Sequence, residues 1–151
     1  MKITLLLLLS VFSLSTFANC ADDYNIGLNE YGFATRHFDK GSASYQAAVD
    51  NAGSNNPNMA IICKHLVDSV SGFYVANESY GNCAKAFGAA TSSCSGSDST
   101  SAANNKKICN GNKTIANDNE KVVRNSLKNS CFSGSEFLDF APLENIQNTI
   151  Y

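Results

Sequence analysis

Apolar positions recur along this chain at intervals of three and four, the spacing of a helix face. No segment sustains the period-two alternation of β-branched residues that marks a strand. The clearest run begins at Asn56-Pro57, where Asn can cap a helix and Pro can occupy its first position. From there Met59, Ile62, Cys63, Leu66, Val70, Phe73 and Tyr74 share one stripe, with Lys64, Asp68 and Ser71 opposite. Upstream, Leu28, Tyr31, Thr35 and Phe38 predict a helix ending near Gly41. Ser42 then caps a second, Ala43 to Asn51, that breaks at Gly53. Downstream, Cys83, Ala84, Phe87 and Ala90 predict a short helix, and residues 95–105, small and polar, a mobile loop. Asn117 followed by Glu120 has capping-box spacing ahead of Val122, Val123 and Leu127. Pro142 opens a terminal helix with Leu143, Ile146 and Ile150 on one side. No internal repeat of fixed period is visible. The expectation is a small all-α domain of about five helices.

The first residues alter where that domain is placed. Residues 1–18 have a positive start at Lys2, an apolar stretch from Ile3 to Leu14, and a small-x-small site at Thr16-Phe17-Ala18. Those are the three parts of a secretory signal, which leaves residues 19–151 as one domain. The apolar stretch is shorter than the ~20 residues that cross a bilayer, and no later segment reads as a membrane span. Lipidation at Cys20 would need a small residue before it and an aliphatic one three before; Asn19 and Phe17 fit poorly. Secretion or residence in a periplasm is the expected location.

Six cysteines, Cys20, Cys63, Cys83, Cys94, Cys109 and Cys131, follow the leader. Their wide spacing excludes a C-x-x-C metal or redox site, and their even number suits structural disulfides in an oxidising compartment. The pairing is open from sequence. With 11 basic and 13 acidic residues and no basic cluster, the chain carries no nucleic-acid footprint. No cofactor motif occurs.

Candidate chemistry is sparse. His65 and Asp68 stand three residues apart, where a carboxylate could orient an imidazole on one helix face. No G-x-S-x-G elbow supplies a nucleophile, and the adjacent His-Asp pair and glycine-rich calcium loop of secreted phospholipases are missing. Arg36 and His37 form a small cationic spot. Glu136 and Asp139 lie amid Phe137, Leu138 and Phe140, a setting that raises a carboxyl pKa. Asn77-Glu-Ser79 and Asn112-Lys-Thr114 are glycosylation sequons whose use depends on the source organism.

The stretch Cys63-Lys-His-Leu66-Val67-Asp-Ser69-Val70-Ser-Gly72 resembles the cysteine-containing helix of Tai/Rap-type periplasmic immunity proteins, which protect bacteria against peptidoglycan-attacking type VI secretion effectors. That helix reads C-x-x-Y-[VI]-x-G-V, so Leu66 and Ser69 depart from it. Cys109-Asn-Gly-Asn-Lys-Thr114, followed by Val122-Val123 and Leu127, is similar to a second family element. The segment 75–108 is longer than the family's, and a final family cysteine has no counterpart after Cys131. The resemblance implies an all-α, disulfide-bonded protein that binds and blocks an enzyme without catalysis.

The leading expectation is therefore an exported, non-enzymatic protein-binding module, an immunity or inhibitor protein in the family reading. Loop 95–105 or the Tyr24–Phe38 region would supply contacts to another protein. One alternative is a carrier whose cavity, lined by Phe73, Phe87, Phe137 and Phe140, holds a small apolar ligand. Another is a small secreted hydrolase using His65 and Asp68.

Overall fold

The computed structural model describes residues 3–132, 140–147 and 150–151, with side chains from Asn19 onward. Among them the chain is helical, without a strand: α1 (Ile3–Ala52), α2 (Met59–Ser93), α3 (Gly96–Leu127) and a closing π-helical turn, Lys128–Phe132. The all-α, disulfide-bonded expectation holds; the count of about five helices does not. Each long helix runs through a point where the sequence predicted a break.

The physical reason differs at each point. Gly41 lies inside α1, where it lets α2 approach. A Cβ on Gly72 of α2 would fall 2.7 Å from the Gly41 Cα and N and 2.9 Å from the His37 carbonyl. Ser69 seals the crossing, its Oγ donating to the Gly41 carbonyl at 2.8 Å. The expected mobile loop 95–105 is instead the first part of α3. Its hydroxyls bond to main chain, Ser99 to the Thr91 carbonyl and Thr100 to that of Gly96. Ala102 and Asn105 there are fully buried. The turn between α2 and α3 is made by Gly96, whose φ of 58° is left-handed and suits glycine. Asn117 sits mid-helix and caps nothing. The start of α2 falls two residues late: Asn58 is the cap, accepting from Ala60 N and Ile61 N, and Pro57 precedes it. Pro142 opens no helix.

A three-four alternation of buried positions runs along all three helices. On α1 they are Tyr24, Gly27, Tyr31, Ala34, Phe38, Gly41, Tyr45 and Ala48, only Tyr24 being less than fully buried. On α2 they run Ile62, Leu66, Ser69, Phe73, Ala76, Tyr80, Cys83, Phe87 and Ala90, with Val70, Gly72, Ser79 and Ala84 buried beside them, and on α3 Ala102, Asn105, Cys109, Asn112, Ala116, Asn119, Val123 and Ser126, with Glu120 beside them. This is a heptad repeat, the seam of helices packed in a left-handed sense. Large and small rows alternate, so rings enter gaps left by glycine and alanine. Tyr24 meets Phe87 and Phe38 meets Phe73 edge to face, both at 5.1 Å between ring centres. Tyr74, expected on the inner stripe, is exposed because it falls off this period; Met59 keeps the period but stands exposed as the first residue of α2.

α2 is central and antiparallel to both neighbours, while α1 and α3 barely touch each other. Disulfides pin the three: Cys20–Cys94 and Cys63–Cys131 near the two ends, and Cys83–Cys109 across the fully buried α2–α3 seam. All six cysteines are paired. Such pairing points to an oxidising, extracytosolic environment. Among the described residues α2 is the one helix long and apolar enough by length and composition to cross a membrane, against the expectation that no later segment is. Its apolar rows face α1 and α3.

Candidate functional site

The space between α1 and α3, on the side away from α2, is filled by the C-terminal tail. Three asparagines one heptad apart on α3 face it, all essentially unexposed. Asn119 Nδ2 donates to the Glu144 carbonyl at 2.8 Å, and its Oδ1 accepts from the Glu144 N–H at 2.9 Å. Asn112 repeats the arrangement on Gln147 at 2.8 and 2.9 Å. Asn105 does so on Tyr151, accepting its N–H at 2.7 Å and donating to its carbonyl. A side-chain amide carries the same donor and acceptor as a peptide group, so each asparagine pairs main chain as a β-ladder would.

The opposite wall is a row of tyrosines on α1. Tyr45 donates to the Ala141 carbonyl at 2.7 Å, Tyr31 to that of Gln147 and Tyr24 to that of Tyr151. The two walls fix the tail's direction as antiparallel to both helices. They also fix its conformation. Asn105 to Asn119 spans two heptads, about 21 Å of helix. Within it Asn112 to Asn119 covers about 10.5 Å, which Glu144 to Gln147 match only when drawn out to about 3.5 Å per residue, an extended chain. The described tail residues are in no helix, unlike the terminal helix that Leu143, Ile146 and Ile150 suggested.

Along the tail a two-residue unit recurs. Phe140, Leu143, Ile146 and Ile150 are partly buried against the helical core. The residue after each, Ala141, Glu144, Gln147 and Tyr151, offers its main chain to the groove and leaves its side chain exposed. The groove thus reads backbone and apolar bulk, and among the described residues no salt bridge reaches the gripped side chains. Each net hydrogen bond contributes about 0.5–1.5 kcal/mol, and a buried amide left unpaired costs about 1–3 kcal/mol. Burial pushes the ionisation of Tyr31 up from its ordinary value, against the hydrogen bonds from Thr35 and Asn112. Burial likewise raises Tyr80, whose hydroxyl meets Thr35 Oγ1 at 3.1 Å.

The residues singled out from sequence lie elsewhere. Asp68 is paired with Lys64 at 2.7 Å, and that hydrogen bond holds its carboxyl below the usual range. His65 is half-buried on the same turn of α2. His37 stacks on exposed Phe33 at 4.5 Å, with the Arg36 guanidinium 5.9 Å from that ring. Phe73 and Phe87 are two heptads apart in the packed core, and Phe140 lies against Tyr45 at 5.7 Å. Phe137, Glu136 and Asp139 lie outside the described residues. Asn112 is buried and committed to Gln147, so a glycan there is incompatible with the seated tail. Asn77 Oδ1 is buried without a hydrogen-bond partner, and Ser79 of its sequon is buried. No group of three or more His, Cys, Asp or Glu able to hold a metal occurs among the described residues.

Sequence reasoning passed over Asn105, Asn112 and Asn119 because asparagine is not counted as a core residue. The available signal was their heptad phase with Cys109, Ala116 and Val123. No protein-family model, no curated protein and no solved structure matches this chain.

Proposed function

We propose that this is an exported, non-enzymatic protein-binding module. Residues 1–18 act as its secretory leader, and its place of action is outside the cell or in a periplasm. The observation that carries the reading is the groove between α1 and α3, whose asparagines and tyrosines take hold of extended polypeptide main chain. Three disulfides give that groove a rigid frame where disulfides persist. The finer reading is an immunity or inhibitor protein that blocks a cell-wall-directed enzyme. It draws support from the resemblance around Cys63 and Cys109.

The test is affinity purification of the tagged full chain from the exported fraction under oxidising conditions. The expected result is a stoichiometric protein partner, lost when Asn112→Leu and Asn119→Leu are introduced together. Recovery of no stoichiometric partner, in fractions where the chain is folded and oxidised, counts against the reading.

A further inference from the structure

We infer that the tail occupies the groove as an exchangeable, self-inhibiting ligand, and that the groove takes an extended segment of another polypeptide with the same apolar spacing. The inference rests on the protein-binding reading above and names the class of partner. Its basis is what the groove recognises. Three asparagines read only N–H and C=O groups at Glu144, Gln147 and Tyr151, whose side chains point to solvent. Any segment presenting free amides at those places meets the same donors and acceptors.

The rest of the recognition is apolar bulk one residue ahead of each gripped amide. The code is an apolar residue at the places of Phe140, Leu143, Ile146 and Ile150, with proline excluded at those of Glu144, Gln147 and Tyr151 for want of an N–H. Pro142 stands where no N–H is used, which agrees with the code.

Cavities border the seat at both ends, one of about 470 Å³ beside Tyr24, which holds Tyr151. A cavity of about 460 Å³ opens between Tyr45, Gln46 and Val49 of α1 and the tail at Phe140 and Leu143. Another of about 350 Å³ borders Ala141 from the side of Val122 and Ser126 of α3. Strand exchange can start at these gaps, at either end of the groove. A tethered tail competes at an effective concentration of millimolar order, so the untethered segment binds well only once the tail is weakened.

The experiment uses the full oxidised chain carrying Leu143→Asp and Ile146→Asp, and a fluorescent synthetic peptide of residues 140–151. The expected result is saturable binding to this variant, at least tenfold tighter than to the unmodified chain. N-methylation of the peptide at Glu144 and Gln147 is expected to weaken it at least tenfold. Should the charged variant lose its helical dichroism, Gln147→Pro in the tail, which removes one gripped N–H without adding charge, replaces it. No binding to a folded tail variant overturns the inference, as does binding indifferent to N-methylation. Because the pair is purified, failure to recover a natural partner leaves this result standing. A partner recovered undiminished from a groove that binds no peptide overturns this inference alone.

Discussion

Single residues here act through size more than through charge. Gly72 and Gly41 permit a backbone-to-backbone crossing that a methyl group would block, and the atoms met are main chain, which cannot swing aside. Gly111, by contrast, has nothing within 4 Å of its would-be Cβ and stands exposed in α3. The expected outcomes are opposite. Gly72→Ala should destabilise by about 3 kcal/mol, the cost of forcing bulk into a packed seam. Gly111→Ala should stabilise by about 0.5–1 kcal/mol through helix propensity. Chemical denaturation midpoints measure both. Equal midpoints for Gly72→Ala and the parent would refute the close crossing.

At the scale of elements, the tail depends on α1 through phenol donors. A raised Tyr31 means that the fold holds this phenol protonated while the unfolded chain releases its proton near pH 10. The stabilisation is fully present below that value and is lost as pH climbs toward the folded-state ionisation. Above pH 10 the slope is about 1.4 kcal/mol per pH unit for each phenol so held. The phenolate of Tyr31 can no longer donate to the Gln147 carbonyl, so tail release accompanies it. An absorbance titration should find Tyr31 and Tyr80 ionising late, together with a fall in helical dichroism. Ionisation of every tyrosine below the pH at which dichroism falls would contradict this coupling.

The whole molecule is a staple-and-seam construction. Cys20–Cys94 and Cys63–Cys131 enclose separations of 74 and 68 residues, and Cys83–Cys109 one of 26. In the chain-entropy account each contributes about 3.5–4.5 kcal/mol. Domains of ordinary stability hold only about 5–15 kcal/mol in total. Full reduction is thus expected to lower the thermal midpoint steeply or to unfold the chain outright. Thermal melts followed by circular dichroism with and without a thiol reductant decide it; an unchanged midpoint would mean that packing alone suffices.

What the sequence determined by itself was the class of local structure and the covalent frame. Three-four spacing and absent alternation made helices, and six widely spaced cysteines made structural disulfides; both are local or compositional signals. It misplaced boundaries because Gly41, the small residues of 95–105 and Asn117 carry breaker or cap chemistry when taken alone. The tertiary structure decided what those residues do. Gly41 meets Gly72, Ala102 and Asn105 find the core, and α3 continues through Asn117. It also settled the tail, since Leu143, Ile146 and Ile150 read as a helix face until the asparagines of α3 claim the amides between them. Propensity is summed along the chain, whereas a groove arises from groups distant in sequence. Only folding brings Tyr31, Asn112 and Gln147 to one place.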